Sequence, residues 1–176
     1  MASGLSDAWS WPSEIISSVE ETIFAVGRTG NCVKRKVGAA LVSLDGVVLA
    51  TGANGAPDGM RRCDEGGCVR CAAAAHRYEH GIGYDLCLCL HAEQSVLLAA
   101  LHNGTEMLSS VLVTSYQPCF MCAKLIVAAR VEGVLYSEPW RVPERESRLN
   151  GLAANYDALW AQLPMGCVRF NELLSP

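Results

Sequence analysis

The sequence predicts an α/β fold in which an opening β-hairpin is followed by alternating strands and helices. VGAALVSL and VVLATGA, on either side of Asp45-Gly46, predict the hairpin, because Asp-Gly is a preferred tight turn between antiparallel strands. Downstream, SVLVTSY and VLYS alternate with segments of helical character, which indicates parallel pairing. Together with a final strand near the carboxyl end, these segments predict an α/β sandwich with a mixed sheet of about five strands.

Length and composition predict a single compact domain. A chain of 176 residues suffices for one hydrophobic core and is short for two. With 51% hydrophobic and 18% charged residues, it lies far from the composition of disordered chains. Residues 1–12 are small and polar and end at Pro12, so we expect 1–12 to be a flexible tail and 13–176 to form one domain.

In the first half of the chain, one helix and one long irregular segment are expected on either side of the hairpin. Apolar residues at helical spacing predict a helix that begins at Ser13, a plausible N-cap, and ends within 27–30. The hairpin follows. Residues 54–86 then contain many glycines and show no clear period. A long irregular segment inside a compact domain is usually functional or held by a metal.

The second half of the chain alternates between helix and strand. AEQSVLLAALHNG predicts a helix ended by Asn103-Gly104, and SVLVTSY predicts a strand. CFMCAKLIVAARVEG predicts a helix ended by Gly133, with VLYS as the next strand. Residues 149–163 predict a last helix, and GCVRFNEL predicts a final strand.

Charge and cysteine usage limit the partners and the compartment. The formal net charge of −4 argues against stable nucleic-acid binding, which requires clustered lysines and arginines in excess. No secretory signal pattern and no apolar run of membrane-spanning length are evident, so we expect no membrane partner and a cytoplasmic location. Nine cysteines in a reducing compartment are more plausible as metal ligands or buried thiols than as disulfides.

Two short motifs, each opening a predicted helix, together predict a catalytic zinc site. His91 begins one helix, and Cys119 and Cys122 lie in the first turn of another, after Pro118. Helix N-termini favour thiolates, and one imidazole with two thiolates gives three ligands of a tetrahedral zinc, with the fourth position left for water. Glu93, two residues after the histidine, could move a proton between that water and a substrate. Alone, the CxxC motif could equally be a redox pair or half of a structural zinc site.

The wider pattern resembles a known family. H-x-E followed by P-C-x-x-C is the signature of zinc nucleobase deaminases. In addition, NCVKRKVGAALV, TGANGAP, RCDEGGCVRC, CLCLHAEQ, PCFMCAKLIV and GVLYS, in this order over 31–141, resemble the deoxycytidylate (dCMP) deaminase family, especially its cysteine-rich fungal branch. The resemblance implies a three-layer α/β/α sandwich of the cytidine-deaminase type. It also implies hydrolytic deamination of a free cytosine nucleotide, with dCMP converted to dUMP and ammonia.

The resemblance also implies contacts with a small-molecule nucleotide substrate. Asn54 matches the asparagine that contacts the sugar in the family's G-Y-N-G loop, and Lys34 and Lys36 lie where the family has part of its phosphate-binding surface. Ala92, between the histidine and the glutamate, and Trp140, after the VLYS strand, complete the expected substrate contacts. Relatives are commonly oligomeric and some respond to deoxynucleoside triphosphates, so a homo-oligomer and a nucleotide effector are implied.

The remaining cysteines predict a second, structural zinc. C-x4-C-x2-C followed by C-x-C is a ligand-like spacing, and a closed zinc site has four ligands. By resemblance, the expected ligands are Cys32, Cys63, Cys68 and Cys87, with Cys71 and Cys89 as alternates; buried free thiols are the other interpretation. Cys167 is interpreted as a packed core thiol, and His76 and His80 are interpreted as solvent-exposed.

Two alternatives to dCMP deamination remain open. Ala53, Ser95 and Trp140 depart from the family's usual Tyr, Asn and Tyr near the nucleotide. These departures favour, as one alternative, deamination of a modified pyrimidine nucleotide, a nucleoside or another amino-heterocycle. The other alternative is a non-catalytic scaffold stabilised by zinc, which would have no need of Glu93 as a proton carrier.

Overall fold

The computed structural model of the chain describes residues 11–73, 83, 86–140 and 152–173. Within these ranges the helices and strands follow one another along the chain as the alternation predicts. They are α1 (Ser13–Thr29), β1 (Gly38–Ser43), β2 (Val48–Ala53), a 3-10 helix (Cys63–Glu65), α2 (Val69–Ala72), α3 (Ala92–His102), β3 (Ser110–Tyr116), α4 (Phe120–Ala129), β4 (Gly133–Glu138), α5 (Leu152–Trp160), β5 (Cys167–Arg169) and α6 (Phe170–Leu173).

The first helix, α1, occupies the predicted stretch. Ser13 is its first helical residue and Pro12 takes the N-cap position, whereas the sequence favoured Ser13 as the cap. Ile16, Val19 and Ile23 are buried along one face, at the spacing of a helix that lies on a sheet.

The last residues of the predicted tail contact the domain. The indole N–H of Trp11 donates a hydrogen bond of 2.6 Å to the carbonyl of Leu44, in the hairpin turn. The same indole packs against the apolar face shared by α1 and the sheet. Residues 1–10 lie outside the described residues.

The predicted hairpin is confirmed. β1 and β2 pair antiparallel, and Gly46 in their turn has φ of 85°, a conformation that glycine adopts without steric cost. At the start of β1, a Cβ on Gly38 would lie 2.0 Å from the carbonyl oxygen of Ile23. Glycine at this position therefore lets the backbone of α1 lie directly against the first strand.

The five strands form one mixed sheet in the order β2-β1-β3-β4-β5. The pairs β1–β2 and β1–β3 are antiparallel, while β3–β4 and β4–β5 are parallel. The parallel pairs follow from the helical crossovers between their strands, as predicted. Consequently β3 and β4 end at the same edge of the sheet, where ligands bind in many α/β folds.

Helices cover both faces of the sheet, which confirms the three-layer architecture. Alternate residues of β1 point to opposite faces, so Ala39 and Leu41 join one core while Ala40 and Val42 join the other. The first core lies under α3, α4 and α5, and the second lies under α1. The HAE and PCFMC motifs begin two of the helices over the first core, α3 and α4.

Two predicted boundaries are wrong. The helix that follows PC ends at Ala129, where Arg130 adopts a left-handed conformation with φ of 59°, and Gly133 instead begins β4. The predicted final strand is a strand only over Cys167–Arg169, and Phe170–Leu173 is helical. In both places the local spacing of apolar residues fits either structure, and packing against the sheet decides.

Among the described residues, no helix has both the length and the apolar character that crossing a bilayer requires.

Candidate active site

The histidine of the HAE motif lies where the irregular segment meets α3. His91 occupies the N-cap position of this helix, and its backbone N–H donates to Oε1 of Gln94 at 2.9 Å. Just before it, Leu90 exchanges two backbone hydrogen bonds with Gly55, of 2.9 and 3.2 Å. The backbone of His91 is thereby held on both sides. The start of α3 follows it, and the β-bridge between Leu90 and Gly55 precedes it.

The two cysteines of the PCFMC motif lie at the start of α4. Cys119 is the N-cap residue of this helix, in extended backbone conformation, and Cys122 lies in the first turn and is fully buried. The helix follows β3, whose carboxyl end lies beside that of β4. Both thiols therefore face the N-terminus of α3 from the neighbouring element.

The geometry of these three side chains fits a zinc ion. Nδ1 of His91 lies 3.4 Å from Sγ of Cys119 and 3.4 Å from Sγ of Cys122, and all three atoms lie within 4.8 Å of one another. A tetrahedral zinc with ordinary bond lengths requires N–S separations of about 3.6 Å. The donor set of one imidazole and two thiols is also one that catalytic zinc uses, with three protein ligands.

The three groups contact one another closely enough to shift each other's pKa. A hydrogen bond from Cys122 and the adjacent His91 lower the pKa of Cys119 to about 4, although burial opposes this shift. The hydrogen bond with Cys119 raises the pKa of His91 to about 9. Cys122 has the opposite shift, because its hydrogen bond with Cys119 and its burial raise the pKa of this second thiol. A cation that replaces their protons would satisfy all three groups at once.

Glu93 lies in the first turn of α3 beside this triad. The residue is 4% exposed, and burial raises the pKa of its carboxyl group to about 7. Its side chain is within hydrogen-bonding reach of Cys122. A carboxyl group with a pKa near neutrality can both accept and release a proton at physiological pH, which is what a general acid–base group requires.

A tyrosine from the last large helix supports the cysteine-bearing turn. The hydroxyl of Tyr156, in α5, donates a hydrogen bond of 2.5 Å to the carbonyl of Pro118, the residue before Cys119. Burial raises the pKa of Tyr156, so its hydroxyl keeps the proton that it donates. Sequence reasoning missed this residue, because nothing in the local pattern of α5 connects it with a motif almost forty residues earlier.

Of the predicted substrate residues Ala92 and Trp140, Trp140 packs against this tyrosine. Ala92 is the first residue of α3 and is fully buried. Trp140 follows β4, and its ring centroid lies 5.5 Å from that of Tyr156. The indole of Trp140 therefore packs on Tyr156, whose hydroxyl bonds to the carbonyl of Pro118.

Asn54 is buried, and its side chain bonds to the backbone of the basic segment. Its Oδ1 accepts from the N–H of Val37 at 2.9 Å, and its Nδ2 donates to the carbonyl of Arg35 at 2.7 Å. With an exposed fraction of 8%, the amide acts as a clamp between the end of β2 and the chain before β1. Contact with a sugar stays a prediction.

The ammonium groups of the two predicted phosphate-binding lysines donate to backbone carbonyls. Nζ of Lys34 bonds to the carbonyl of Ala73 at 2.8 Å, and Nζ of Lys36 bonds to that of Gly30 at 2.5 Å. Between them, the guanidinium of Arg35 lies 4.6 Å from the ring centroid of Tyr116, the last residue of β3. Arg35 is therefore the basic residue that contacts the strand leading to Cys119.

The six other cysteines before His91 lie together, and their arrangement differs from the predicted set of four. Two groups have all their Sγ atoms within 4.8 Å of one another: one is Cys32, Cys63, Cys71 and Cys89, and the other is Cys68, Cys71, Cys87 and Cys89. The predicted quartet is thus divided between two groups, and the two alternates belong to both. Spacing along the chain could not reveal this, because it does not specify which sulfurs are close together in space.

Other predicted residues lie apart from both clusters. Cys167, interpreted as a core thiol, begins β5 and packs against the first core; burial raises the pKa of its thiol. His76 and His80 lie outside the described residues. All nine cysteines are free thiols rather than disulfides.

Comparisons with known proteins agree with this geometry. The family model of the cytidine and deoxycytidylate deaminase zinc-binding region matches residues 14–138. Deoxycytidylate deaminase of Schizosaccharomyces pombe is 35% identical over 142 residues, which are 80% of this chain and 41% of that protein. The Saccharomyces cerevisiae enzyme of the same name is 36% identical over 119 residues, covering 68% of this chain and 36% of that protein. The chain thus spans about two fifths of the length of these yeast relatives.

A shorter relative and a solved structure match more of their own length. Deoxycytidylate deaminase of Mycobacterium phage D29 is 32% identical over 114 residues, which are 64% of this chain and 85% of that protein. The crystal structure of dCMP deaminase from cyanophage S-TIM5, in complex with dCMP and dUMP, superposes with a TM-score of 0.67 at 24% identity, covering 91% of this chain and 99% of that one. That likeness establishes the fold. With the family model matching most of its length, this chain belongs to the family of the cytidine and deoxycytidylate deaminase zinc-binding region.

Proposed function

We propose that this protein hydrolytically deaminates a free cytosine nucleotide, and that its substrate is dCMP. The observation that carries the proposal is the convergence of two helix starts, which brings His91, Cys119 and Cys122 together beside the buried Glu93. The names of the yeast and phage relatives support the choice of dCMP. The products are dUMP and ammonia, because water replaces the amino group at C4 of the ring.

His91, Cys119 and Cys122 are the residues that would hold the catalytic zinc. Zinc, when bound, lowers the pKa of a coordinated water towards neutrality and so supplies a nucleophile. Cys119 and Cys122 lie at a helix N-terminus, where the macrodipole stabilises their thiolate forms. The hydrogen bond from Tyr156 to Pro118 keeps the turn that carries them in one position.

Glu93 carries the protons. Its carboxylate takes a proton from the attacking water and delivers protons to N3 of the cytosine ring and to the departing amine. Burial supports this role, since it raises the pKa of Glu93 to about 7, and the side chain reaches the cysteine end of the site. Because Glu93 is only 4% exposed, its carboxyl group has little contact with bulk water, which favours proton exchange with the substrate.

The remaining predicted residues would bind the nucleotide. Lys34, Lys36 and Arg35 contribute positive charge for the phosphate, and Asn54 orders their segment through its backbone bonds to Arg35 and Val37. Trp140 and Ala92 form part of the wall around the base. Arg35 is well suited to the phosphate, because a guanidinium offers bidentate donors while its face remains on the ring of Tyr116.

The purified full-length chain, incubated with dCMP, is expected to release ammonia and dUMP. Glu93→Gln should retain zinc, measured by inductively coupled plasma mass spectrometry, while kcat falls about 10³-fold. Glu21→Gln, on the exposed face of α1, is the matched control and should keep full activity. Lack of turnover of every free cytosine nucleotide and nucleoside would refute the proposal. Unchanged turnover in Glu93→Gln would refute the role of Glu93.

A second candidate keeps the chemistry and changes the substrate. Ala53, at the end of β2, and Trp140, packed on Tyr156, stand where the resembling family has tyrosine, so the surroundings of the nucleotide differ. Such differences would suit a modified pyrimidine nucleotide or a nucleoside. A panel of dCMP, CMP, dCTP, deoxycytidine and 5-substituted dCMP decides between the two. A preference for dCMP by orders of magnitude in kcat/KM would exclude this candidate.

The six-cysteine cluster would hold structural zinc in addition to the catalytic ion. Five of its members are buried, and the cluster brings together cysteines from three separate chain segments. A closed zinc–thiolate site would stabilise this junction. Nine free cysteines also support a reducing compartment, and we place the protein in the cytoplasm; imaging of a tagged full-length chain tests this.

We also propose that the protein forms a homo-oligomer and binds a nucleotide effector. Support for the oligomer comes from exposed apolar side chains on the two helices that carry the catalytic residues, namely Leu98 and Leu101 on α3 and Met121 and Leu125 on α4. Neighbouring exposed apolar residues of this kind are typical of subunit interfaces. Light scattering after size-exclusion chromatography, with and without deoxynucleoside triphosphates, measures both properties; a monomer in each condition contradicts the oligomer.

A further inference from the structure

The six cysteines before His91 form a cluster of two overlapping groups. Each group contains four sulfurs within 4.8 Å of one another, and Cys71 and Cys89 belong to both. Sγ of Cys71 lies 3.9 Å from that of Cys89, 3.6 Å from that of Cys87 and 3.9 Å from that of Cys32. The two groups therefore share an edge rather than competing for a single centre.

These separations match the geometry of zinc–thiolate tetrahedra. With Zn–S bonds of about 2.3 Å, the sulfurs of a tetrahedral site lie about 3.8 Å apart. Besides the distances around Cys71, Sγ of Cys68 lies 3.8 Å from Sγ of Cys87. Disulfides are excluded, because their sulfurs lie about 2.05 Å apart.

The composition of the cluster excludes an ordinary apolar core. Its buried members are all cysteines, and among the described residues the partly buried hydrophobic neighbours packed on them are Cys87 and Leu88. A thiol buries little apolar surface, so six thiols together would give this segment weak hydrophobic stabilisation. Metal ligation is a far stronger reason to bring these side chains together.

A single zinc ion would bind only four of the six sulfurs in the cluster. A single ion takes four sulfurs, so either Cys32 and Cys63 or Cys68 and Cys87 would stay as thiols pressed against the site. A second ion would replace the two protons of those thiols with an equal positive charge. The net charge of the cluster is therefore the same with one ion or two, and the second ion adds bonds without burying additional charge.

We propose that the six cysteines bind two zinc ions, with Cys71 and Cys89 bridging them. Cys32 and Cys63 complete the tetrahedron of one ion, and Cys68 and Cys87 complete that of the other. The proposal rests on zinc binding by the cysteine cluster and is independent of the proposed deamination.

Backbone donors around the cluster suit thiolates at its outer positions. The N–H groups of Lys34 and Arg35 bond to the sulfur of Cys32, and those of Cys71 and Leu88 bond to the sulfur of Cys68. Such N–H···S bonds stabilise the charged form of a sulfur ligand. In the proposed arrangement, each ion thus has one non-bridging ligand, Cys32 or Cys68, whose sulfur accepts hydrogen bonds from backbone N–H groups.

The binuclear cluster would join three segments to the active site. Cys32 follows α1, and its backbone N–H bonds to the carbonyl of Asn54 at 3.3 Å. Cys89 lies two residues before His91, separated from it by the Leu90 that pairs with Gly55. The two ions would therefore fix the path of the chain on which the catalytic histidine is placed.

Cadmium-113 substitution of the full-length protein tests the proposal directly. Two cadmium resonances in the all-thiolate region, split by scalar coupling to each other through the bridging sulfurs, are expected, together with a third, uncoupled resonance from the site of His91. X-ray absorption of the zinc protein should show a metal–metal distance on the order of 3 Å. A single all-thiolate resonance without coupling, and no metal–metal scattering, would overturn the proposal. Neither readout depends on turnover of dCMP.

Paired substitutions give a second test that distinguishes one ion from two. Cys32→Ala/Cys63→Ala and Cys68→Ala/Cys87→Ala should each lower the zinc content, measured by native mass spectrometry, by one ion per chain. If the cluster held a single ion, one of the two pairs would leave the zinc content unchanged. Cys167→Ala, a partly buried thiol outside the cluster, is the matched control and should retain every ion. If a pair does not fold, the cadmium spectrum of the unmodified protein still decides.

Discussion

Gly52 allows α3 to lie directly on β2, and adding a methyl group there should displace the catalytic residues. A Cβ at this position would lie 2.4 Å from the backbone nitrogen of Val96, 2.8 Å from the carbonyl oxygen of Ala92 and 2.9 Å from the carbonyl carbon of Ser95. All three atoms belong to the backbone of α3, so no side chain can rotate away. Moving from 2.4 Å to ordinary contact at 3.4 Å requires a shift of about 1 Å of the helix relative to the strand.

That shift has a predictable effect on catalysis. His91 caps α3 and Glu93 lies in its first turn, so both move with the helix while Cys119 and Cys122 stay with α4. A misplacement of about 1 Å can cost about 100-fold in rate. For Gly52→Ala we therefore expect kcat/KM with dCMP to fall about 100-fold, and the free energy of unfolding to fall by about 1–3 kcal/mol from overpacking.

A matched control separates displacement from loss of stability. Gly104 follows the same helix with φ of 65°, and a Cβ there would meet nothing within 4 Å. Gly104→Ala should therefore lose about 1 kcal/mol of stability from backbone strain and keep its activity. Steady-state kinetics and urea unfolding of both variants provide the measurements. Gly52→Ala with kcat/KM within twofold of the parent would refute the reasoning.

Three further predictions concern residues around the site. Asn54→Ala removes two side-chain bonds to the backbone and should lower the free energy of unfolding by about 2 kcal/mol without any ligand; unchanged urea unfolding would show that the asparagine has no clamping role. Tyr156→Phe leaves the carbonyl of Pro118 without its donor and should cost about 1–2 kcal/mol, measured by thermal unfolding, with a fall in kcat; an equally stable, equally active variant would contradict this. Arg35→Gln should raise KM for dCMP at least about tenfold but not for deoxycytidine, whereas Arg28→Gln should change neither; equal effects on both substrates would exclude a phosphate contact.

The sheet and its helices could be predicted because their signals are local. Asp45-Gly46 predicts the hairpin because the turn requires a positive φ, which Gly46 adopts. The end of α4 could not be predicted in this way. Arg130 terminates that helix in a left-handed conformation that arginine rarely adopts, so no residue type marks the position.

The residues of the candidate site also differ in whether the sequence alone could predict them. His91, Glu93, Cys119 and Cys122 belong to two motifs whose spacing within a helix turn dictates their geometry, and the structure brings the side chains of His91, Cys119 and Cys122 together. Tyr156 is connected with them only through tertiary packing, so the sequence alone carries no signal for its contact with the Pro118 turn.

For the cysteine cluster, the sequence predicted the kind of site but not the arrangement of its residues. Its cysteine-rich spacing predicted metal ligation but assigned Cys71 and Cys89 the role of alternates, whereas both groups of sulfurs contain them. Cys71 lies in the short helix α2, one turn after Cys68, and Cys89 lies next to the bridge between Leu90 and Gly55. Each of the two has the sulfurs of both groups within 4.8 Å of its own, and only the three-dimensional path of the chain reveals which cysteines are in that position.

The position of Cys89 would connect the proposed structural zinc with the proposed catalytic zinc. Only Leu90 separates this cysteine from His91, and the backbone of Leu90 is bonded on both sides to Gly55. A chain held at Cys89 by the proposed zinc and at Leu90 by a β-bridge would have little freedom at the backbone of His91. The imidazole can then meet the thiols of α4 with little loss of conformational entropy, which favours binding of the catalytic ion. Cysteines that never contact the substrate would in this way contribute to catalysis.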